Sequence, residues 1–263
     1  MLIMLGLLVG AVMGLTGAGG GILAVPALML ALDMPLAEVV PLALLAVAVS
    51  AAIGAWGSWR EGLVRYRAAL LMALAGIPFT ALGISLGAAM DARLRSWLFV
   101  GLLAYVGIRH WRRLVAEQLP LTTISLWQPL EARSGRIAWS WTSGAVVTAI
   151  GASTGLVTGL LGVGGGFIIV PLLQRFSNVS VQGIIATALM VIALVSGVGA
   201  WMALAHGEPL PLALSLYFVG ACTVGMLAGR RMAKCMSPQH LQSGFAVLVF
   251  CVVAGMTYEN LLA

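Results

Sequence analysis

The chain alternates long apolar runs with short polar or basic stretches, and many of the runs are long enough to cross a bilayer as helices. About 20 apolar residues span the hydrocarbon core in helical form. The continuous runs cover roughly 36–59, 68–90, 96–114, 180–205, 209–229 and 241–258. No stretch shows the alternation of a membrane β-barrel, with apolar residues facing lipid and polar residues facing a lumen. The pattern predicts an all-α polytopic membrane protein.

Two further apolar runs contain clusters of glycine where a continuous helix is expected. The first reads GLTGAGGGILAVP, from Gly14 to Pro26, and the second reads GLLGVGGGFIIVP, from Gly159 to Pro171. Consecutive glycines destabilise a helix and leave backbone groups unpaired in lipid. We therefore predict a broken segment in each place, either re-entrant or a hairpin, in which the two prolines act as structural helix breaks.

The glycine clusters belong to an internal duplication with an offset of 145 residues, the distance from Gly14 to Gly159. The same register continues without a gap to Trp56 and Trp201. Each half is thus predicted to hold one broken segment followed by three transmembrane helices. The predicted domains are a first transmembrane repeat at 1–115, a polar cytoplasmic connector at 116–140 and a second transmembrane repeat at 141–263.

The basic residues decide whether the halves have the same or opposite orientation. WREGLVRYR (59–67) is rich in arginine, whereas its counterpart HGEP (206–209) has no basic residue except histidine. The next pair shows the opposite bias, with MDARLR (90–95) nearly neutral and RRMAK (230–234) basic. Cytoplasmic loops carry the excess of Lys and Arg. The charges therefore predict two inverted repeats in a bacterial inner membrane, with both termini and the arginines of MDARLR outside.

Composition and motifs exclude several function classes. The chain is 61% hydrophobic and 8% charged, a balance that a water-facing surface of this size does not tolerate. The net charge of +6 comes from clusters at helix ends, so we expect no nucleic-acid partner. The G-x-S-x-G pattern at Gly151–Gly155 has no histidine base within a span, and neither a Walker lysine nor a metal-ligand cluster occurs. We expect no enzymatic activity, catalytic residue, cofactor or metal.

The glycine breaks are predicted to form the binding site. Glycine permits the φ values of an unwound turn and lets a ligand approach the backbone. The helices that follow, starting near Ile22 and Phe167, would present unpaired N–H groups and positive dipole ends, which bind anions without a cationic side chain. The candidate substrate-binding residues are Thr16, Gly17, Gly19, Gly20, Gly21, Ser153, Thr154, Gly162, Gly164, Gly165, Gly166 and Thr187. Ser50, Thr158 and Ser196, on the same segments, are further candidates for lining the site.

A second set of glycines is spaced four residues apart, which is typical of close helix packing rather than of ligand binding. Its members are Gly6, Gly10, Gly14, Gly151, Gly155 and Gly159. We expect them to let neighbouring backbones approach one another.

The paired motifs GLTGAGGGILAVP and GLLGVGGGFIIVP, one near the start of each half, resemble the sulfite exporter TauE/SafE family over nearly the whole chain. The resemblance implies secondary transport, in the export direction, of small sulfur-containing anions such as sulfite or sulfonates. Inverted repeats with paired breaks fit alternating access. An anion channel and a non-transporting membrane subunit are the open alternatives. The expected partners are a small anion and the lipid bilayer, and the coupling ion and the oligomeric state, monomer or homo-oligomer, stay open.

Overall fold

The structure is a computed structural model that describes residues 2–17, 21–32, 36–116, 141–177, 179–206, 212–233 and 238–262. The regular structure of these residues is entirely helical, which confirms the predicted all-α class for the described part. The helices are α1 (Leu2–Thr16), α2 (Gly21–Leu32), α3 (Leu36–Arg60), α4 (Tyr66–Ala89), α5 (Ala92–Ala116), α6 (Trp141–Leu161), α7 (Gly166–Phe176), α8 (Val181–His206), α9 (Leu212–Ala233) and α10 (Pro238–Leu262).

Several helices have the length and the apolar composition of membrane spans. Within the described residues four candidates meet both criteria: Glu38–Arg60, Tyr66–Ala89, Ser143–Leu161 and Val181–Ala205. Shorter apolar helices accompany them, among them α1 and α7. The protein is thus a multi-pass membrane protein. The predicted connector at 116–140 lies, apart from the last residue of α5, outside the described residues, and the domain boundaries stay a prediction.

The prolines after the glycine clusters do not interrupt the helices. Pro26 lies inside α2 and Pro171 inside α7, so the prediction that these residues are helix breaks is wrong. Each lies in the second turn of its helix, where proline's fixed φ is already helical and only one backbone hydrogen bond is lost. The breaks lie earlier, at the glycines between α1 and α2 and between α6 and α7.

The duplication is visible in the way the helices pack. The main contacts between the halves recur when the equivalent helices of the two halves are exchanged. For example, α1 packs along α9 as α6 packs along α4, and α3 contacts α9 as α8 contacts α4. The equivalent helices α3 and α8 also pack against each other, as do α5 and α10. The two halves therefore interlock instead of forming separate bundles.

The contacts of two glycines give the relative direction of α3 and α8. A Cβ at Gly54, late in α3, would lie 3.2 Å from Cδ1 of Leu189, early in α8. A Cβ at Gly199, late in α8, would lie 3.4 Å from Cδ1 of Leu44, early in α3. These two equivalent helices therefore run antiparallel.

The glycines at four-residue spacing lie at close helix contacts. A Cβ at Gly10 would meet the backbone of Cys222 in α9, and a Cβ at Gly155 would meet the backbone of Gly76 in α4. Gly14, Gly151 and Gly159 are similarly close to the backbone of α9 or of α4, and a Cβ at Gly6 would lie 2.8 Å from the Cβ of Ala221 in α9. The prediction that these glycines serve packing is confirmed, since only a residue without a side chain allows this approach.

Arginines gather at one end of the bundle, which we call the basic end: Arg60 closes α3, Arg65 precedes α4 and Arg230 lies in the last turn of α9. Arg230 Nη1 donates to the carbonyl oxygen of Gly54 at 2.6 Å, and its Nη2 lies 3.3 Å from Glu61 Oε2. Arg230 thereby ties the end of α9 to the end of α3.

Candidate functional site

The two breaks begin with the same backbone turn. Gly17 and Gly162 have φ values of 79° and 73°. Their N–H groups donate to the carbonyl oxygens of Met13 and Thr158, each at 2.9 Å. A left-handed residue at this position closes a helix C-terminus and strongly favours glycine. The turn therefore requires glycine at both of these predicted site positions.

The breaks meet at the middle of the antiparallel pair α3 and α8. A Cβ at Gly21 would lie 3.4 Å from Cγ1 of Val47 and 3.8 Å from the Cα of Gly164. A Cβ at Gly164 would lie 2.7 Å from the same atom of Val47 and 3.5 Å from Cγ2 of Ile192. Val47 and Ile192 are equivalent in the duplication and lie near the centres of their helices. The structure thus brings predicted site residues of both halves together at one place.

The start of α7 presents unpaired backbone donors at this place. Gly165 caps the helix with a φ of 57° and a ψ of −5°, and no side chain caps it by a hydrogen bond. No described backbone carbonyl accepts a hydrogen bond from the N–H of Gly166 or Phe167. A helix start with free N–H groups also carries the positive end of the helix dipole. Both features favour an anion.

Three residues that pack against the same turn carry a buried hydroxyl group without a hydrogen-bond partner among the described residues: Thr154, Thr158 and Ser196. A Cβ at Gly165 would lie 2.8 Å from Thr158 Oγ1 and would collide with the methyl group Cγ2 of Thr154. A Cβ at Gly164 would lie 3.7 Å from Ser196 Oγ. All three side chains are 0% exposed. A buried hydroxyl without a partner costs about 1–3 kcal/mol, so a bound polar ligand or a water molecule would stabilise the cluster.

Thr154 and Thr158 differ from other threonines of the described helices. Thr16, Thr80 and Thr148 each donate to the carbonyl oxygen four residues earlier, at 2.8, 2.9 and 2.8 Å. This back-bonding satisfies the hydroxyl within its own helix. Thr154 and Thr158 lack this bond, and Thr158 Oγ1 and the Cγ2 methyl group of Thr154 face Gly165. The sequence carries no signal that distinguishes these rotamers.

Other candidates lie away from this cluster or satisfy their hydroxyls elsewhere. Thr187 Oγ1 donates to Gly183 O at 2.7 Å and accepts from Arg65 N at 3.1 Å, so it joins α8 to the basic end. Ser153 Oγ donates to Ile150 O at 3.0 Å. Ser50 Oγ lies 3.4 Å from Thr223 Oγ1 at the contact of α3 and α9. Gly19 and Gly20 lie outside the described residues.

A cavity of about 300 Å³ lies beside the break, between α5, α6 and α7. Tyr105 and Arg109 of α5, Ser153 of α6 and Phe167 and Pro171 of α7 contribute to its walls. The cavity and the hydroxyl cluster lie on different faces of α6. Ser153 lines the cavity, whereas the next residue, Thr154, contacts Gly165.

The hydroxyl cluster has no counterpart in the first half. At the offset of 145 residues, Val9 replaces Thr154, Met13 replaces Thr158 and Ala51 replaces Ser196. All three replacements are buried apolar side chains. The second break is therefore polar where the first break is apolar.

Comparisons with known proteins match this chain to one family model and to individual relatives. Residues 2–256 match the family model "Sulfite exporter TauE/SafE". A "Probable membrane transporter protein" of Xylella fastidiosa (strain Temecula1 / ATCC 700964) is 30% identical over 187 residues, which are 70% of this chain and 66% of the relative. A protein of the same description from strain 9a5c is 28% identical over 252 residues, which are 94% of this chain and 90% of the relative. No solved structure matches this chain.

The match extends over nearly the whole chain, as the paired glycine motifs predicted. The family description and the names of the relatives refer to transporters rather than to enzymes. Together with the long apolar helices, they identify a membrane transporter whose chain belongs to the sulfite exporter TauE/SafE family.

Proposed function

We propose that this transporter is a secondary exporter of small sulfur-containing anions, such as sulfite or organic sulfonates, which bind at the second break. The observation that carries the proposal is the group of unpaired buried hydroxyls at the start of α7, formed by Thr154, Thr158 and Ser196. These groups and the unpaired N–H groups of α7 supply hydrogen-bond donors and a positive dipole end. No cationic side chain is needed.

The chemistry of the cluster suits an oxyanion with several oxygens on one centre. The N–H groups of Gly166 and Phe167 have fixed directions, whereas a hydroxyl hydrogen rotates about its C–O bond. Sulfite and sulfonates present three oxygens, which fixed and rotating donors can satisfy together. Hydrogen bonds to a charged group contribute about 1.5–3 kcal/mol each. The absence of a full positive charge keeps binding weak enough for release, which a transport cycle needs.

The first break completes the site with apolar surface in this proposal. Val9, Met13 and Ala51 are buried on the side that is equivalent to the hydroxyl cluster. An apolar wall excludes water and strengthens the hydrogen bonds of the polar wall, because the local dielectric constant falls. It also accommodates the organic part of a sulfonate.

The proposed mechanism is alternating access between inverted repeats. It is supported by the antiparallel packing of α3 against α8 and by the meeting of the two breaks beside Val47 and Ile192. Paired broken helices at the repeat interface are the usual place of substrate binding in such transporters. The positive-inside rule assigns the basic end to the cytoplasm. The termini are then outside, and the membrane is the bacterial inner membrane.

Counterflow of labelled sulfite into proteoliposomes tests the proposal. The expected result is transient accumulation that saturates with sulfite, and that sulfonates and thiosulfate inhibit while carboxylates do not. A carrier exchanges substrate in this way, whereas a channel gives a flux that does not saturate at modest concentrations. Flux without counterflow would favour the channel. Neither flux nor counterflow with any sulfur oxyanion, from folded protein, would contradict the proposed function.

A further inference from the structure

We infer that the cavity between α5, α6 and α7 is an aqueous vestibule in which Arg109 collects the small anion on its way to the second break. The inference rests on the proposed function for the identity of the anion. It adds a second binding position with different chemistry. The break holds neutral donors, whereas the vestibule holds a full positive charge.

The lining of the cavity favours an anion in water. Arg109 and Ser153 face it among mostly apolar side chains, and the residues that line it include no carboxylate. In the part of the chain that the structure describes, the one ion pair joins Arg230 to Glu61, so Arg109 has no carboxylate partner there. A cation in an apolar membrane protein is favourable where it meets water or a counter-ion. At about 30 Å³ for each water, this volume holds roughly ten waters, which is enough for a hydrated small anion.

The cavity reaches the immediate neighbourhood of the break. Phe167, the second residue of α7, lines it and is 7% exposed. Ser153 lines it from α6, and the next residue, Thr154, belongs to the hydroxyl cluster. A small rotation or shift of α7 against α6 would connect the two compartments.

The polar residues of the cavity wall do not recur at the equivalent positions of the duplication. The counterparts of Ser153 and Arg109 in the duplication are Leu8 and Ala254, both apolar. On that side α10 packs against α2, whereas the cavity lies between α5 and α7. Polar groups thus occur together in the vestibule and in the break, as expected if one anion passes through both.

The charge-sensitive labelling of a cysteine tests the vestibule without any need for transport. Ser153→Cys is made in a chain in which Cys222, Cys235 and Cys251 are replaced by alanine. Anionic and cationic membrane-impermeant methanethiosulfonates then react with it from the side of the basic end. We expect both reagents to react, and we expect Arg109→Gln to lower the anionic-to-cationic rate ratio about fivefold, as removal of a nearby charge in a partly hydrated site predicts.

Arg112→Gln is the matched control for this experiment. Arg112 lies on the same helix but is exposed, and it does not belong to the residues that line the cavity. Its loss should change the rate ratio by less than twofold, because exposed charges are screened by salt. Leu172→Cys, at another lining position, replaces Ser153→Cys if that variant does not fold.

The outcomes separate this inference from the proposed function. If the Ser153→Cys variant reacts with a lipid-soluble maleimide but with neither charged reagent, the cavity is filled with lipid. If Arg109→Gln leaves the anionic-to-cationic rate ratio unchanged, Arg109 does not collect anions. Either result overturns the inference. The expected labelling from protein that shows no counterflow would instead contradict the proposed function alone. In active protein, Arg109→Gln should raise the KM for the anion several-fold.

Discussion

The two glycine breaks share one backbone turn but differ in the side chains around it. Gly17 and Gly162 adopt the same left-handed conformation and donate to Met13 O and Thr158 O at the same distance. The side chain of Met13 is an apolar core residue, whereas the hydroxyl of Thr158 is buried without a partner. Duplication has thus conserved the geometry that glycine provides, while the buried hydroxyl groups without partners lie in the second half.

The unpaired hydroxyl groups of the second break cost free energy of folding, and this cost favours a functional explanation for them. A buried Val or Met side chain contributes about 1.5–3 kcal/mol to stability, whereas an unpaired buried hydroxyl costs about 1–3 kcal/mol. Without a bound ligand or water, the second break is therefore less stable than an apolar copy of the first would be. Binding sites commonly carry such a cost because their groups are arranged for a ligand.

The largest effect is expected from Gly165→Ala. Its Cβ would collide with Thr154, and the φ of 57° is unfavourable for alanine. We expect a loss of about 2–4 kcal/mol in stability and of most transport. Gly101→Ala is the control, because nothing lies within 4 Å of its Cβ. Thermal unfolding and sulfite counterflow measure both effects, and normal transport by Gly165→Ala would contradict the account.

A pair of variants at equivalent packing glycines should lose similar amounts of stability in the two halves. Gly10→Ala and Gly155→Ala each place a Cβ against the backbone of a neighbouring helix. We expect both to lose about 1–3 kcal/mol of stability from overpacking. The loss should be similar because the contacts are equivalent. Chemical unfolding in detergent measures it, and a large loss in only one variant would show that the packing symmetry has no energetic counterpart.

The hydroxyl of Thr158 should matter for the anion and not for the fold. Thr158→Val keeps the shape and removes one hydrogen bond to a charged ligand, so we expect the KM for sulfite to rise about tenfold or more. Stability should stay the same or increase. In Thr80→Val, by contrast, the lost hydroxyl donates to Gly76 O, so this control should lose about 1 kcal/mol and keep its KM. Reversal of the two patterns would contradict the assignment.

The smallest effect is expected from adding a hydroxyl to the first break. Val9→Thr copies Thr154 into the first half, but a threonine there can donate to the carbonyl oxygen four residues earlier. We expect less than a twofold change in the KM for sulfite, measured by counterflow. A gain or loss of tenfold would mean that the first break also contacts the anion through this position.

Much of the architecture could be predicted from the sequence, because it depends on patterns that repeat. The duplication fixed the positions of equivalent helices, such as α3 and α8, and the four-residue spacing of Gly10 and Gly155 indicated packing. The position of the glycine turns followed from local conformational preference. The prediction that Pro26 and Pro171 break their helices was wrong, since proline is tolerated in the second turn of a helix.

The site could be predicted only in part, because its distinctive feature depends on rotamers and on tertiary contacts. Thr187 and Thr154 are both threonines within apolar helices. The hydroxyl of Thr187 is hydrogen-bonded at the basic end, whereas the hydroxyl of Thr154 has no hydrogen-bond partner among the described residues. The role of Ser196 depends on the packing of α8 against the second break. The cavity depends on the spacing of α5 from α7, for which the hydrophobic pattern carries no signal.

The most direct test of the central claim is the sulfite-dependent rise in Tm of the wild type and of the combined variant Thr154→Val, Thr158→Val, Ser196→Ala. A ligand that binds the folded state stabilises it in proportion to the logarithm of its concentration above the Kd. Without sulfite, we predict that the Tm of the variant is at least that of the wild type. With sulfite, the Tm of the wild type should rise steadily with the logarithm of the sulfite concentration above the Kd, while the Tm of the variant should not change. An equal rise in the variant would contradict binding at the second break.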